Sequence, residues 1–201
     1  MELLIPLMLI ALGVYKINAR EQARRIALLG SYLAKHQIEK LLESLTQGYL
    51  RALGESNPER QAQVWGYLAT AETELCDQFS LFADEFARLE AADACASKLP
   101  IAIPYADKLF PAATFDMRKA LKIHAQGIKN AAIGSPNQSQ KDKAFTMSAE
   151  LFLMQHTCHW FCRSKIVASA RMLARHQTPY AQLVASVAPD TRRAYEALMA
   201  T

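Results

Sequence analysis

The chain has 201 residues, of which 51% are hydrophobic and 21% charged, with seven glycines, eight prolines and a net charge of +4. This is enough chain for one sizeable helical domain; it is too apolar for intrinsic disorder and too poor in glycine and proline for a collagen-like repeat. Four cysteines in a chain of this length do not make a disulfide-stabilised scaffold.

The chain begins with an uninterrupted apolar run from Leu3 to Tyr15. A cleavable signal peptide is disfavoured, because only Met1 and Glu2 precede the run, where a signal peptide carries Lys or Arg. A run of this length also suits a helix that is buried in the protein's own core or in the groove of a partner.

The favoured interpretation of residues 1–17 is a membrane anchor. Tyr15 stands where an interfacial aromatic residue would stand, and Lys16 and three arginines follow it closely. The positive-inside rule then predicts a single-pass helix in the inner membrane, embedded through residues 3–17, with residues 16–201 in the cytoplasm. Because the run is shorter than the about 20 residues that usually cross a bilayer, local thinning of the membrane has to compensate.

Apolar residues spaced by threes and fours predict helices over the rest of the chain, and no segment alternates as a strand does. The predicted helices cover residues 18–53, 58–92, 114–133, 139–175, a short segment from Pro179, and 189–199. Prolines punctuate a connector over residues 97–113, and the long helix over 139–175 is expected to be kinked or frayed. Short loops favour antiparallel neighbours. The predicted fold is therefore all-α, an antiparallel helical bundle, with residues 18–201 in a single domain.

The helix that starts at Asn57 and Pro58 has the most regular pattern in the chain. Either Asn57 caps the helix, with proline favoured at the first helical position, or Ser56 and Glu59 form a capping box. Large apolar residues recur every seven positions and in the neighbouring rows: Leu68, Leu75, Phe82 and Leu89, with Trp65, Phe79 and Phe86. This spacing is typical of a helix face buried in the core.

The densest chemistry lies at 156–162, where two of the five histidines and two of the four cysteines fall within seven residues. On a helix, Cys158, His159 and Cys162 share a face with large aliphatic residues. Thiolate and imidazole are ligands of zinc, so these three residues, completed by His124, are a candidate zinc or haem site. No Cys-x-x-Cys or Cys-x-x-Cys-His motif is present, and core packing without any cofactor is the favoured interpretation.

Charge is segregated along the chain: residues 1–54 and 98–201 are net basic, and residues 55–97 are net acidic. Since lysine and arginine alternate with acidic residues instead of forming a block, we expect the charged helices to offset one another. The alternative is that the basic C-terminal half binds anionic lipid or nucleic acid, of which nucleic acid is not expected.

The sequence contains no P-loop, Gly-x-Gly-x-x-Gly, Gly-x-Ser-x-Gly or His-Glu-x-x-His motif. The absence of these motifs, together with the predicted membrane anchor over residues 1–17, favours a non-enzymatic, membrane-anchored accessory or scaffold subunit that binds other proteins. The alternative function is a metal- or haem-binding sensor or enzyme that uses the 156–162 cluster.

Overall fold

A computed structural model describes residues 4–200, and this part of the chain is almost entirely helical. The ten helices are α1 (Leu4–Leu33), α2 (Ile38–Gly54), α3 (Pro58–Phe86), α4 (Ala91–Ala94), α5 (Ala106–Leu109), α6 (Met117–Ile133), α7 (Gln140–Cys162), α8 (Lys165–His176), α9 (Tyr180–Ser186) and α10 (Pro189–Ala200). The prediction of an all-α fold is confirmed.

The four helices α2, α3, α6 and α7 form an antiparallel bundle. At one end of the α2–α3 pair, the Gln37 backbone N–H donates to the Gln78 side chain, and at the other the Gln61 side chain donates to the Ala52 carbonyl. This is the helical hairpin that the sequence predicts.

The remaining two helices of the bundle follow the same up-and-down course. The ammonium of Lys143 in α7 lies 2.6 Å from the Glu72 carboxylate of α3, and the ring of Phe161 packs on that of Phe86, so α7 runs parallel to α3. His124 of α6 bonds to Thr157 of α7, and Gly127 of α6 faces Glu150 of α7, so α6 runs antiparallel to α7. We call the end of the bundle that holds Phe86 and Phe161 the proximal end.

The repeating apolar residues of α3 form the centre of the core. The fully buried members are Leu68, Leu75, Phe79, Phe82 and Phe86, while Trp65 and Leu89 pack at its edge. The helix starts as expected, because the Asn57 side chain accepts hydrogen bonds from the Glu59 and Arg60 backbone N–H groups. It ends at Phe86, before the predicted boundary at residue 92.

Two predicted helices are each divided by a turn. The predicted helix over 18–53 breaks at residues 34–37, where the Lys35 and His36 side chains reach Glu85 of α3. The predicted helix over 139–175 breaks at residues 163–164, where the Ser164 side chain accepts from the Val167 backbone N–H and starts α8. The first break was not foreseen, while the second confirms the expected irregularity of the long helix.

A small two-stranded sheet corrects the expectation that the chain has no strands. Strand β1 (Cys95–Ser97) pairs antiparallel with β2 (Thr114–Asp116), with Ala96 opposite Phe115. The predicted start of the third helix at residue 114 is therefore wrong, because residues 114–116 belong to β2 and α6 begins at Met117. The indole N–H of Trp160 donates to the Ser97 carbonyl at 2.8 Å and ties the hairpin to α7 at the proximal end.

Helix α1 is continuous from the apolar run into the body of the protein. Its later turns pack on the bundle, with Leu29 buried and the Tyr32 ring against Phe86. Residues 5–17 are all exposed, so this part of α1 extends away from the proximal end. Within residues 4–200, we find no helix whose apolar stretch is long enough to cross a bilayer, and the predicted membrane-anchoring helix gains no support from the fold.

Candidate functional site

The structure brings three of the four predicted ligand residues to one groove and leaves the fourth elsewhere. Cys158, His159 and Cys162 lie on the last turns of α7 and line a groove of about 630 Å³ between α1, α2, α7 and α8. We call this the thiol groove. His124 lies in the core between α6 and α7, where its Nε2 is 2.9 Å from the Thr157 hydroxyl oxygen.

The two buried histidines are held in neutral form. Thr157 donates its hydroxyl hydrogen to the Leu153 carbonyl, so the hydroxyl oxygen accepts from His124 Nε2–H. Burial lowers the pKa of His124 to about 3 and that of His156 to about 4. His156 Nε2 pairs with the Ser169 hydroxyl, and its ring packs on Tyr180. Both rings therefore behave as core residues.

The thiols of the groove are protonated at neutral pH. Burial raises the pKa of Cys162 to about 11, although Arg25 and Arg163 oppose the shift. Burial also raises the pKa of Cys158 well above its ordinary value, and its S–H faces the Met154 sulfur. Protonated thiols are poor metal ligands and poor nucleophiles.

The candidate zinc or haem site loses one of its four predicted ligands, because His124 lies apart from Cys158, His159 and Cys162. Among residues 4–200, no three His, Cys, Asp or Glu side chains are arranged to hold a metal ion. The His159 Nδ1 atom accepts from the Arg171 guanidinium at 3.3 Å, and burial together with Arg171 and Arg175 lowers the pKa of His159.

The thiol groove has an apolar floor between two charged edges. Its apolar floor residues are Ile26, Leu29, Leu33, Ile38, Leu42 and Met154. Arg171 and Arg175 of α8 form one edge, and Glu39 and Glu43 of α2 form the other. Each pair is spaced by four residues, so each presents two like charges one helical turn apart on an exposed face.

Sequence reasoning missed the charged edges of the groove. Their signal was present, because Arg171 and Arg175, like Glu39 and Glu43, have the spacing that places two side chains on one helical face. The sequence does not say that α2 and α8 face each other across α7, and only that placement makes the four residues one site.

A second feature missed in the sequence is a buried carboxyl between α6, α7 and α10. Glu150 of α7 has no exposed surface, and its Oε1 accepts from the Ala188 backbone N–H at 3.0 Å, just before α10. Burial raises the pKa of Glu150 to about 7, although hydrogen bonds from Ala188 and Thr191 oppose the shift. A Cβ on Gly127 of α6 would come within 2.4 Å of Glu150 Oε2, so the glycine makes room for the carboxyl.

The exposed part of α1 carries a run of large apolar side chains. Its large exposed side chains are Ile5, Leu7, Met8, Leu9, Ile10, Leu12, Val14, Tyr15 and Ile17. Single exposed apolar residues are normal on protein surfaces, whereas a contiguous apolar patch marks a contact with protein or membrane.

No protein-family model, curated protein or solved structure matches this chain.

Proposed function

We propose that the chain is a non-enzymatic accessory subunit that the start of α1 anchors to a membrane and whose helical body binds another protein. The observation that carries the proposal is the run of exposed apolar side chains on every face of α1 between Ile5 and Ile17. A helix that is apolar all round belongs in a core or a bilayer rather than in water.

The energetics favour the removal of this segment from water, and a bilayer is the environment that we propose for it. Moving seven large aliphatic side chains from water into hydrocarbon contributes on the order of 10 kcal/mol. Beyond its first turn, the helix satisfies its own backbone hydrogen bonds, as a bilayer requires. Pro6 has no backbone N–H to donate, but it lies in the first turn of α1, where N–H groups have no intrahelical partner. It therefore does not interrupt the helix.

The flanking charges suit an anionic headgroup layer. Lys16 and Arg20 are exposed directly after the apolar segment, with Tyr15 at the boundary. Residues 5–15 span only about 17 Å of helix, against about 30 Å of hydrocarbon, so we propose an embedded rather than a crossing anchor. The cytoplasmic surface of a membrane carries a negative potential that attracts basic residues next to an anchor, and the proposal places the body of the protein on the cytoplasmic side of the inner membrane.

The anchor is tested by flotation of the purified full chain with vesicles of phosphatidylcholine and phosphatidylserine. We expect the chain to float, and we expect Leu9→Glu/Leu12→Glu to lower the partition coefficient by more than about 100-fold, because each buried carboxylate costs about 2.5 kcal/mol. The control Leu50→Glu/Ile133→Glu adds the same charge at two exposed apolar positions of the bundle and should leave flotation unchanged. Failure of the wild-type chain to float, or equal flotation of both variants, contradicts the proposal.

The thiol groove is the surface that we propose for the protein partner. Its apolar floor between a basic and an acidic edge matches an amphipathic helix that carries acidic residues along one side and basic residues along the other. Charge pairs one helical turn apart on Arg171 and Arg175, and on Glu39 and Glu43, would then fix the direction of that helix.

This surface is tested with a fluorescent model peptide of about 18 residues, with a leucine face, glutamates along one edge and lysines along the other. We expect saturable binding by fluorescence anisotropy, weakened at least about tenfold by Arg171→Glu/Arg175→Glu. Lys122→Glu/Lys129→Glu on the exposed face of α6 makes the same charge change and should have no effect. Non-saturable binding, or binding indifferent to the arginine variant, contradicts the assignment.

A further inference from the structure

The connector between β1 and β2 carries exposed apolar residues at the place where α1 leaves the body. Its exposed large apolar side chains are Ile101, Tyr105, Leu109 and Phe110. Tyr105 directly precedes α5, the Leu109 backbone N–H at the end of α5 donates to the Tyr105 carbonyl, and Phe110 follows directly.

This part of the connector lies against α1 just after its exposed apolar segment. The Tyr105 backbone N–H donates to Glu21 Oε2 at 3.1 Å. Tyr105 and Lys108 line a cavity of about 450 Å³ together with Ile17 and Arg20 of α1. Tyr105 and Lys108 are therefore close to the residues that the proposed anchor places at the headgroup layer, and Leu109 and Phe110 follow them directly in the chain.

The connector is held firmly at both ends. The β1–β2 pairing closes its base, and the Lys98 backbone N–H donates to the Ala113 carbonyl at 2.8 Å. The Ile166 backbone N–H donates to the Pro100 carbonyl, and Ala106, the first residue of α5, is buried. Because the connector is attached to the body at both ends, its exposed apolar side chains are held at a fixed position on the surface.

We infer that Tyr105, Leu109 and Phe110 form a second contact with the same bilayer that the start of α1 enters. The inference rests on the proposed membrane anchor. Tyrosine and lysine are residues that favour the interface, and the Lys108 ammonium lies 5.7 Å from the centre of the Tyr105 ring. Leucine and phenylalanine are the apolar residues of interfacial segments.

Two membrane contacts would fix the orientation of the body relative to the bilayer, which a single embedded helix cannot do. One embedded helix leaves the body free to rotate about its axis, whereas a second contact beside it fixes one side of the proximal end against the membrane. The thiol groove, which includes Ile26 and Leu33 of α1, would then face in a fixed direction relative to the bilayer.

Vesicle flotation and lipid quenching of tryptophan fluorescence test this contact with the full chain. We expect Leu109→Ser/Phe110→Ser to lower the partition coefficient about tenfold, a smaller loss than that of Leu9→Glu/Leu12→Glu. The control Phe145→Ser/Ile133→Ser removes exposed apolar residues at the opposite end of the bundle and should have no effect. In phosphatidylcholine–phosphatidylserine vesicles with spin-labelled lipid, Phe110→Trp should show quenching beyond that of the wild type, and Phe145→Trp should not.

The outcomes separate the two proposals. If the wild-type chain floats but Leu109→Ser/Phe110→Ser floats equally and Phe110→Trp is not quenched, the second contact is wrong and the anchor stands. If the wild-type chain does not float, the anchor itself is wrong. Concentration-dependent dimers that Leu109→Ser/Phe110→Ser abolishes would assign this face to a second copy of the chain and also overturn the inference.

Discussion

Replacing Glu150 by glutamine is expected to stabilise the protein by about 3 kcal/mol near pH 8 and to have little effect near pH 4. The carboxyl of Glu150 is buried, and its pKa in the folded protein is raised to about 7 from an ordinary value of 4.5. The folded state therefore keeps this proton where the unfolded state has released it. Stability from this group is present below about pH 4.5 and is lost as the pH rises through about 7.

Glutamine keeps the acceptor for the Ala188 N–H and carries no charge to bury. Urea unfolding across this pH range measures the difference between the variant and the wild type, which should grow steadily up to about pH 7. Glu74→Gln, at an exposed position of α3, is the control and should show no such growth. A pH-independent difference for Glu150→Gln would mean that the carboxyl titrates normally in the folded protein.

The buried histidines act in the opposite direction over an overlapping pH range. The pKa values of His124 and His156 are lowered, so the folded state resists their protonation and stability falls as the pH drops below about 6.5. In the Glu150→Gln variant, the loss of stability as the pH drops below about 6.5 should remain, whereas the loss of stability as the pH rises through about 7 should disappear.

Replacing Gly127 by alanine is expected to destabilise the protein by about 2 kcal/mol, although alanine is the better helix former. The new Cβ would lie 2.4 Å from Glu150 Oε2 and 2.5 Å from the Thr191 hydroxyl oxygen, and both side chains are buried. The Glu150 and Thr191 side chains, or the helices α6, α7 and α10 that carry these residues, must shift to admit the methyl group.

Gly66 offers the matched control, because it lies within α3 on an exposed face with nothing near its missing Cβ. Gly66→Ala should raise stability by up to about 1 kcal/mol through helix propensity alone. Thermal and urea unfolding measure both variants. The cost of Gly127→Ala should shrink in a Glu150→Ala background, since the clash with Glu150 is then relieved and only that with Thr191 remains. Strictly additive effects would show that the contact with Glu150 does not contribute to the cost.

The limits of the sequence are clearest at the 156–162 cluster. Helical spacing places Cys158, His159 and Cys162 on one face, and they do line one groove. The same spacing carries no information on His124, which belongs to another helix and bonds to Thr157 in the core. Which residues of different helices meet depends on packing contacts that a local pattern does not contain.

The sequence by itself determined that the chain is helical, that α3 carries a buried face and that α1 begins with an apolar segment. These properties depend on the spacing and polarity of residues that are close together in the chain. Tertiary structure decided the turn at residues 34–37, the β1–β2 pairing, the opposed charges of the thiol groove and the burial of Glu150 against Gly127. Each of these depends on residues far apart in the sequence, whose approach is set by how the helices pack around one core.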